Sequence, residues 1–126
     1  MGDNIAIIAT NCLCPLILIV MGIVMMHRPG KFRSGIGYQT SMSQKNEQTW
    51  YTAQAFFAKA AVLSNIPVLA LSAAFTVIFV LKGLDDKEEV GLMIMVTSIQ
   101  VAVLFGDIFS TEKHLRSRFD KDGNPK

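Results

Sequence analysis

Three blocks of apolar residues, each long enough to cross a bilayer, constrain this chain more than any other feature. The first, Ile5 to Met26, holds no charged residue, and as a helix it would measure roughly 33 Å against a hydrocarbon core of about 30 Å. The second, Ala53 to Leu81, is interrupted only by Lys59 and would run roughly 43 Å, so its first turns are expected at the interface or the helix to tilt. The third is Val90 to Phe109, with Asp107 near its end. Nothing basic precedes the first block and no small-residue cleavage site follows it, so a retained helix is expected there in place of a cleaved signal peptide. Of 126 residues 51% are hydrophobic and only 17% charged, which excludes disorder and falls below the charge of ordinary soluble domains. The expected fold is an all-α membrane protein of one domain, residues 1–126. It has spans at about 5–26, 53–81 and 90–109, a loop at 27–52 and a tail at 110–126.

Charge sets an expected direction. The loop carries Arg28, Lys31, Arg33 and Lys45 against Glu47 alone, and the tail carries Lys113, Arg116, Arg118, Lys121 and Lys126. The connector Lys82 to Glu89 sets two lysines beside Asp85, Asp86, Glu88 and Glu89. Under the positive-inside rule the loop and tail face the cytoplasm, and the N-terminus and connector face outside. The net charge of +2 does not call for nucleic acid, because the basic residues gather at membrane boundaries where anionic lipid accounts for them.

The loop Pro29 to Trp50 is the most informative polar stretch. Pro29 ends the first helix, and Gly30, Gly35 and Gly37 allow tight turns. Ser41 with Gln44 has capping-box spacing, so a helix is expected to start there. Trp50, Ala53, Gln54 and Phe57 then share one helical face, and Trp50 with Tyr51 stands where an aromatic belt marks the water boundary. This stretch is either an interfacial helix packed on its neighbours or a docking site for a headgroup or partner, with Arg28, Lys31 and Arg33 supplying phosphate contacts. Gly30-Lys31 is no P-loop, because Met25 stands where that motif needs its first glycine.

Polar groups inside the spans are costly without partners. Lys59 and Asp107 fall at similar depth and are expected to face each other, as a structural pair, with a snorkelling lysine, or as a proton- or ligand-binding pair. Asn11, Asn65 and Gln100 are expected to bond between helices, and Ala70 with Ala74 to mark a close helix contact. Pro67 predicts a kink near Leu63 to Pro67. Cys12 and Cys14 point to different faces of a helix and cannot bridge there. Asp107, Thr111 and His114 recur on one face, but no compact two-histidine spacing supports a metal. No catalytic arrangement of nucleophile and base is found, so neither enzyme nor cofactor is expected.

Ile36-Gly37-Tyr38-Gln39-Thr40, followed by Ser41-Met42, Asn46-Glu47 and Trp50, resembles the signature of the bacterial SdpI-like immunity family, which carries a G-Y-R-T-x-x-S-M-x-N-x-x-T-W type segment before a transmembrane helix. Ala58-Lys59 sits where the family tends to have Gly-Lys. Thr111-Glu112-Lys113-x-Leu115, then Phe119-Asp120 and Asp122-Gly123-Asn124, is similar to the family's tail. Gln39 departs from the pattern, where Arg is usual, so a charged contact is missing there or is supplied by Arg33.

The resemblance implies a multi-pass protein of the bacterial plasma membrane, whose longer namesake protects its producer from a secreted killing peptide and can hold a transcriptional repressor at the membrane. It implies immunity or tolerance to a membrane-active antimicrobial peptide, by binding. A toxin arriving from outside would meet Asn11 or the connector Asp85 to Glu89. Partners expected on this reading are the bilayer, a secreted peptide, and a second copy or a cytoplasmic protein. Two alternatives stand beside it. One is a small transporter or channel-like oligomer lined by Lys59, Asp107, Asn65 and Gln100. The other is a lipid-binding accessory subunit of a membrane complex.

Overall fold

The computed structural model describes residues 2–35 and 37–126, so Ile36 of the signature lies outside the described residues. The chain is all-helical, with α1 Gly2–His27, α2 Glu47–Lys82 and α3 Asp86–Arg118. All three are long and apolar enough to cross a membrane, which makes this a multi-pass membrane protein. The helices run alternately up and down, so the end of α1, the start of α2 and the end of α3 share one end of the bundle. Loop 28–46 and tail 119–126 lie at that end; only a short turn joins α2 to α3 at the other.

Each helix boundary has a local cause. α2 starts at a capping box. The Asn46 side chain accepts from the Thr49 backbone N–H at 2.9 Å, and the Thr49 hydroxyl accepts from the Asn46 N–H at 3.0 Å. This corrects the start expected at Ser41 and Gln44. There the Thr40 N–H donates to the Ser43 hydroxyl and the Ser43 N–H to the Thr40 hydroxyl, at 2.8 and 3.2 Å. Those reciprocal bonds close a turn and satisfy the donors without a helix. α3 is capped by Asp85, whose carboxylate accepts from the Glu88 N–H at 2.8 Å. α2 continues through Pro67 as one helix.

α2 is the central helix, packed on both neighbours. Its buried row, Ala58, Ala61, Asn65, Val68, Ser72 and Thr76, recurs every three or four residues. Gly22 of α1 lies so close to this row that a Cβ would come within 2.6 Å of Val62 Cγ2 and 2.9 Å of the Ala58 carbonyl oxygen. Ala70 and Ala74, the expected close contact, are exposed. Each is two residues from Ser72, about 200° around the helix from the buried row.

The inside of the spanning region holds polar side chains among small and branched apolar ones, and its outside is apolar. Asn11, Asn65, Ser72, Thr76 and Gln100 are all at most 6% exposed, whereas Leu81 and Phe109 are about 80% exposed. Lipid accepts the apolar exterior, and the polar groups find partners only between helices. Asn11 Nδ2 donates to the Thr76 hydroxyl at 3.0 Å, and Gln100 Nε2 donates to the Asn11 carbonyl at 2.6 Å and lies 3.1 Å from the Ser72 hydroxyl. One cluster thus ties all three helices, and Asn11 Oδ1 is left buried without a partner. Asn65 departs from expectation: its Nδ2 bonds back to the Ala61 carbonyl of its own helix at 2.8 Å. Cys12 and Cys14 are free thiols.

Candidate functional site

The hydrophobic core lies at the loop end. Met25 of α1, Tyr38 of the loop, Ala53 and Ala58 of α2, Leu115 of α3 and Phe119 of the tail form one buried cluster, with Met42, Phe57 and Ile108 packed against it. All three helices, the loop and the tail contribute a residue. α2 and α3 reach this platform because they extend past the apolar blocks, starting before Ala53 and ending after Phe109.

Tyr38 is its hub. Its N–H donates to Gln54 Oε1 at 2.8 Å, and Gln54 Nε2 donates back to the Tyr38 carbonyl at 2.6 Å. A fully buried side chain thereby stands in for a backbone partner and holds the loop as a strand neighbour would. Gly37, at φ +110, is required beside it, because a Cβ there would overlap Gln54 Oε1. The phenol donates to Glu112 Oε1 at 2.6 Å and lies 3.3 Å from the Ile108 carbonyl. Burial and the Glu112 carboxylate both disfavour a phenolate, so the hydroxyl is held above its ordinary pKa and stays a donor. Its ring packs on Phe57 with centroids 4.8 Å apart.

Three further ties complete the platform. Trp50, fully buried, donates its indole N–H to the Gly30 carbonyl at 2.8 Å. Arg33 donates twice to the Gln44 carbonyl, at 3.1 and 2.8 Å, so its guanidinium braces the loop from within. Asn46 Nδ2 donates to the Gly123 carbonyl at 2.7 Å, joining the start of α2 to the tail. Asp120 holds the tail's own turn by accepting from the Asp122 and Asn124 N–H groups, both at 2.9 Å.

The remaining expected residues divide in two. Thr40 is spent in its turn with Ser43. Thr111 is fully buried and donates to the Asp107 carbonyl at 2.8 Å. Arg28, Lys31, Gln39 and Lys113 are exposed. Lys59 and Asp107 do not pair directly. Asp107 is buried and accepts from the Ser64 hydroxyl at 2.7 Å, while Lys59 is exposed. Lys59 is five residues from Ser64, about 140° around α2, so a side chain there cannot share Ser64's face. It borders a shallow depression with Phe56 and His114, whose rings stack at 4.4 Å.

Three residues that carry much of this arrangement, Gln54, Asn46 and Gly123, stand in the sequence only as members of a helical face or of the family-like segments, with no contact assigned to them. Gln54 had a signal, a polar group on the face of Trp50 and Ala53. Asn46 had one in Thr49, three residues on.

Fold and site together define a three-helix membrane protein with a loop and tail stitched into a platform at one end. A family comparison assigns its lineage. Residues 31–109 match the SdpI/YfhL protein family, and the chain belongs to it. The match takes in the loop, α2 and the apolar part of α3; the tail lies beyond it. No match was found among curated proteins or solved structures.

Proposed function

We propose that this chain gives immunity or tolerance to a secreted, membrane-active antimicrobial peptide, by binding and without catalysis. Membership of the SdpI/YfhL family across the loop and two spans carries this reading. The chain would reside in the bacterial plasma membrane with its N-terminus and connector outside and its platform inside, as the basic loop and tail favour. The toxin would then meet the connector, where Asp85, Asp86 and Glu88 are exposed and can attract a cationic peptide. Asn11, the other expected contact, is 2% exposed and committed to its interhelical cluster, so it is removed from that role.

The test is survival of a sensitive bacterium expressing the chain, challenged with peptides secreted by the source strain and its relatives. Specific protection from one peptide is the expected outcome, and its absence despite correct insertion counts against immunity. Asp86→Asn with Glu88→Gln should then weaken protection, leaving the Asp85 cap intact. Unchanged protection in that variant, with loss in a loop variant, would remove the connector as the contact.

A further inference from the structure

We propose that the cleft between loop and tail, with the apolar groove beside it, binds an anionic phospholipid, headgroup in the cleft and first acyl carbons in the groove. The cleft has a volume of about 480 Å³ and is bordered by Ser41, Lys45, Arg116 and Lys121. The groove, about 340 Å³, is bordered by Ile108, Phe109 and Lys113. Glu112 and Arg116 border both, so the two adjoin.

The charges on this surface are unequally committed. Glu112 accepts the Tyr38 phenol, and Asp120 accepts two backbone N–H groups. No ion pair or side-chain hydrogen bond engages Lys45, Lys113, Arg116 or Lys121 among the described residues. Both acids already accept hydrogen bonds from the protein while four cations have no protein partner among the described residues, a balance that suits a phosphate. Position adds a second argument. Phe109, 80% exposed, closes the last apolar block and Arg116 lies two turns further along α3, so the site spans the level where acyl chains give way to headgroups. A soluble phosphate would leave the apolar groove unused. Arg33, by contrast, is spent on the Gln44 carbonyl, so the headgroup site lies on the tail side of the loop.

Native mass spectrometry of the protein in mild detergent, with phosphatidylglycerol and phosphatidylcholine at equal mole fraction, tests this. Phosphatidylglycerol should be retained preferentially. Arg116→Gln with Lys121→Gln should lower that retention roughly thirtyfold, from about one kcal/mol for each basic residue near a lipid surface. Both side chains are exposed, so the fold should survive. Arg28→Gln with Lys31→Gln, equally exposed at the same end, should leave retention unchanged. Equal retention of the two lipids, or an equal loss in the Arg28 and Lys31 variant, would overturn the site. Displacement of the lipid by glycerol 3-phosphate would replace it with a soluble phosphate ligand.

Discussion

The same three helices build two kinds of interior. Between the spans, the polar side chains Asn11, Asn65, Ser72, Thr76 and Gln100 are buried among Ile7, Ala61, Val68, Leu92 and Val96. A few turns away, at the platform, Met25, Tyr38, Ala58, Leu115 and Phe119 form one apolar cluster around which Gln54 and Thr111 are buried. The surroundings explain the difference. Lipid tails are as apolar as leucine, so burying leucine between spans gains little, and helices there are joined by close packing and polar side chains. Where the loop and tail meet water, burial of apolar surface again drives packing. The stronger and more specific interior should therefore be the platform.

Gln54→Leu tests that ranking hardest. It strips partners from both the N–H and the carbonyl of buried Tyr38, and should destabilise by about 4 kcal/mol, taking about 2 for each orphaned group. Trp50, the single tryptophan, reports the loss through its fluorescence in a denaturant titration in micelles. A cost below that of any intramembrane change would reverse the comparison. Tyr38→Phe comes next. It keeps the ring on Phe57 and removes the donor to Glu112, for an expected loss of about 2 kcal/mol, the scale of a hydrogen bond to a charged group. Hydrogen exchange should quicken in residues 37–46 and at the end of α3, with the spanning segments unaffected.

Gln100→Leu should have the smallest effect, although its amide contacts both other helices. Interhelical polar contacts in membranes average about 0.6 kcal/mol, because an unfolded chain in lipid also finds partners. Thermal unfolding followed by circular dichroism should separate it clearly from Gln54→Leu.

Much of the fold was legible in the residues, and the reasons are local. An uncharged run such as Ile5 to Met26 reads as a span by length alone, and the face of Trp50, Ala53 and Gln54 follows from helical period. What escaped depended on which local turn closes and on distant partners. Ser41 with Gln44 has the spacing of a helix start, yet α2 starts at Asn46 with Thr49. The choice between them rests on Thr40 closing a turn with Ser43 and on Gly123 receiving the Asn46 amide, 77 residues away. Lys59 and Asp107 were matched by depth, which a sequence reports. Their rotation about the helices, set by packing, turned Asp107 to Ser64 and left Lys59 exposed.

The sequence by itself determined that this chain has three spanning helices, where its charges gather and which family it joins, because transfer into lipid depends on runs of residues summed along the chain. The tertiary structure decided which side of each helix faces its neighbours. A span apolar on nearly every side has no strong hydrophobic face to announce that choice. It was settled instead by the close approach at Gly22, by Gln54 reaching the backbone of Tyr38, and by the tail folding back onto Asn46.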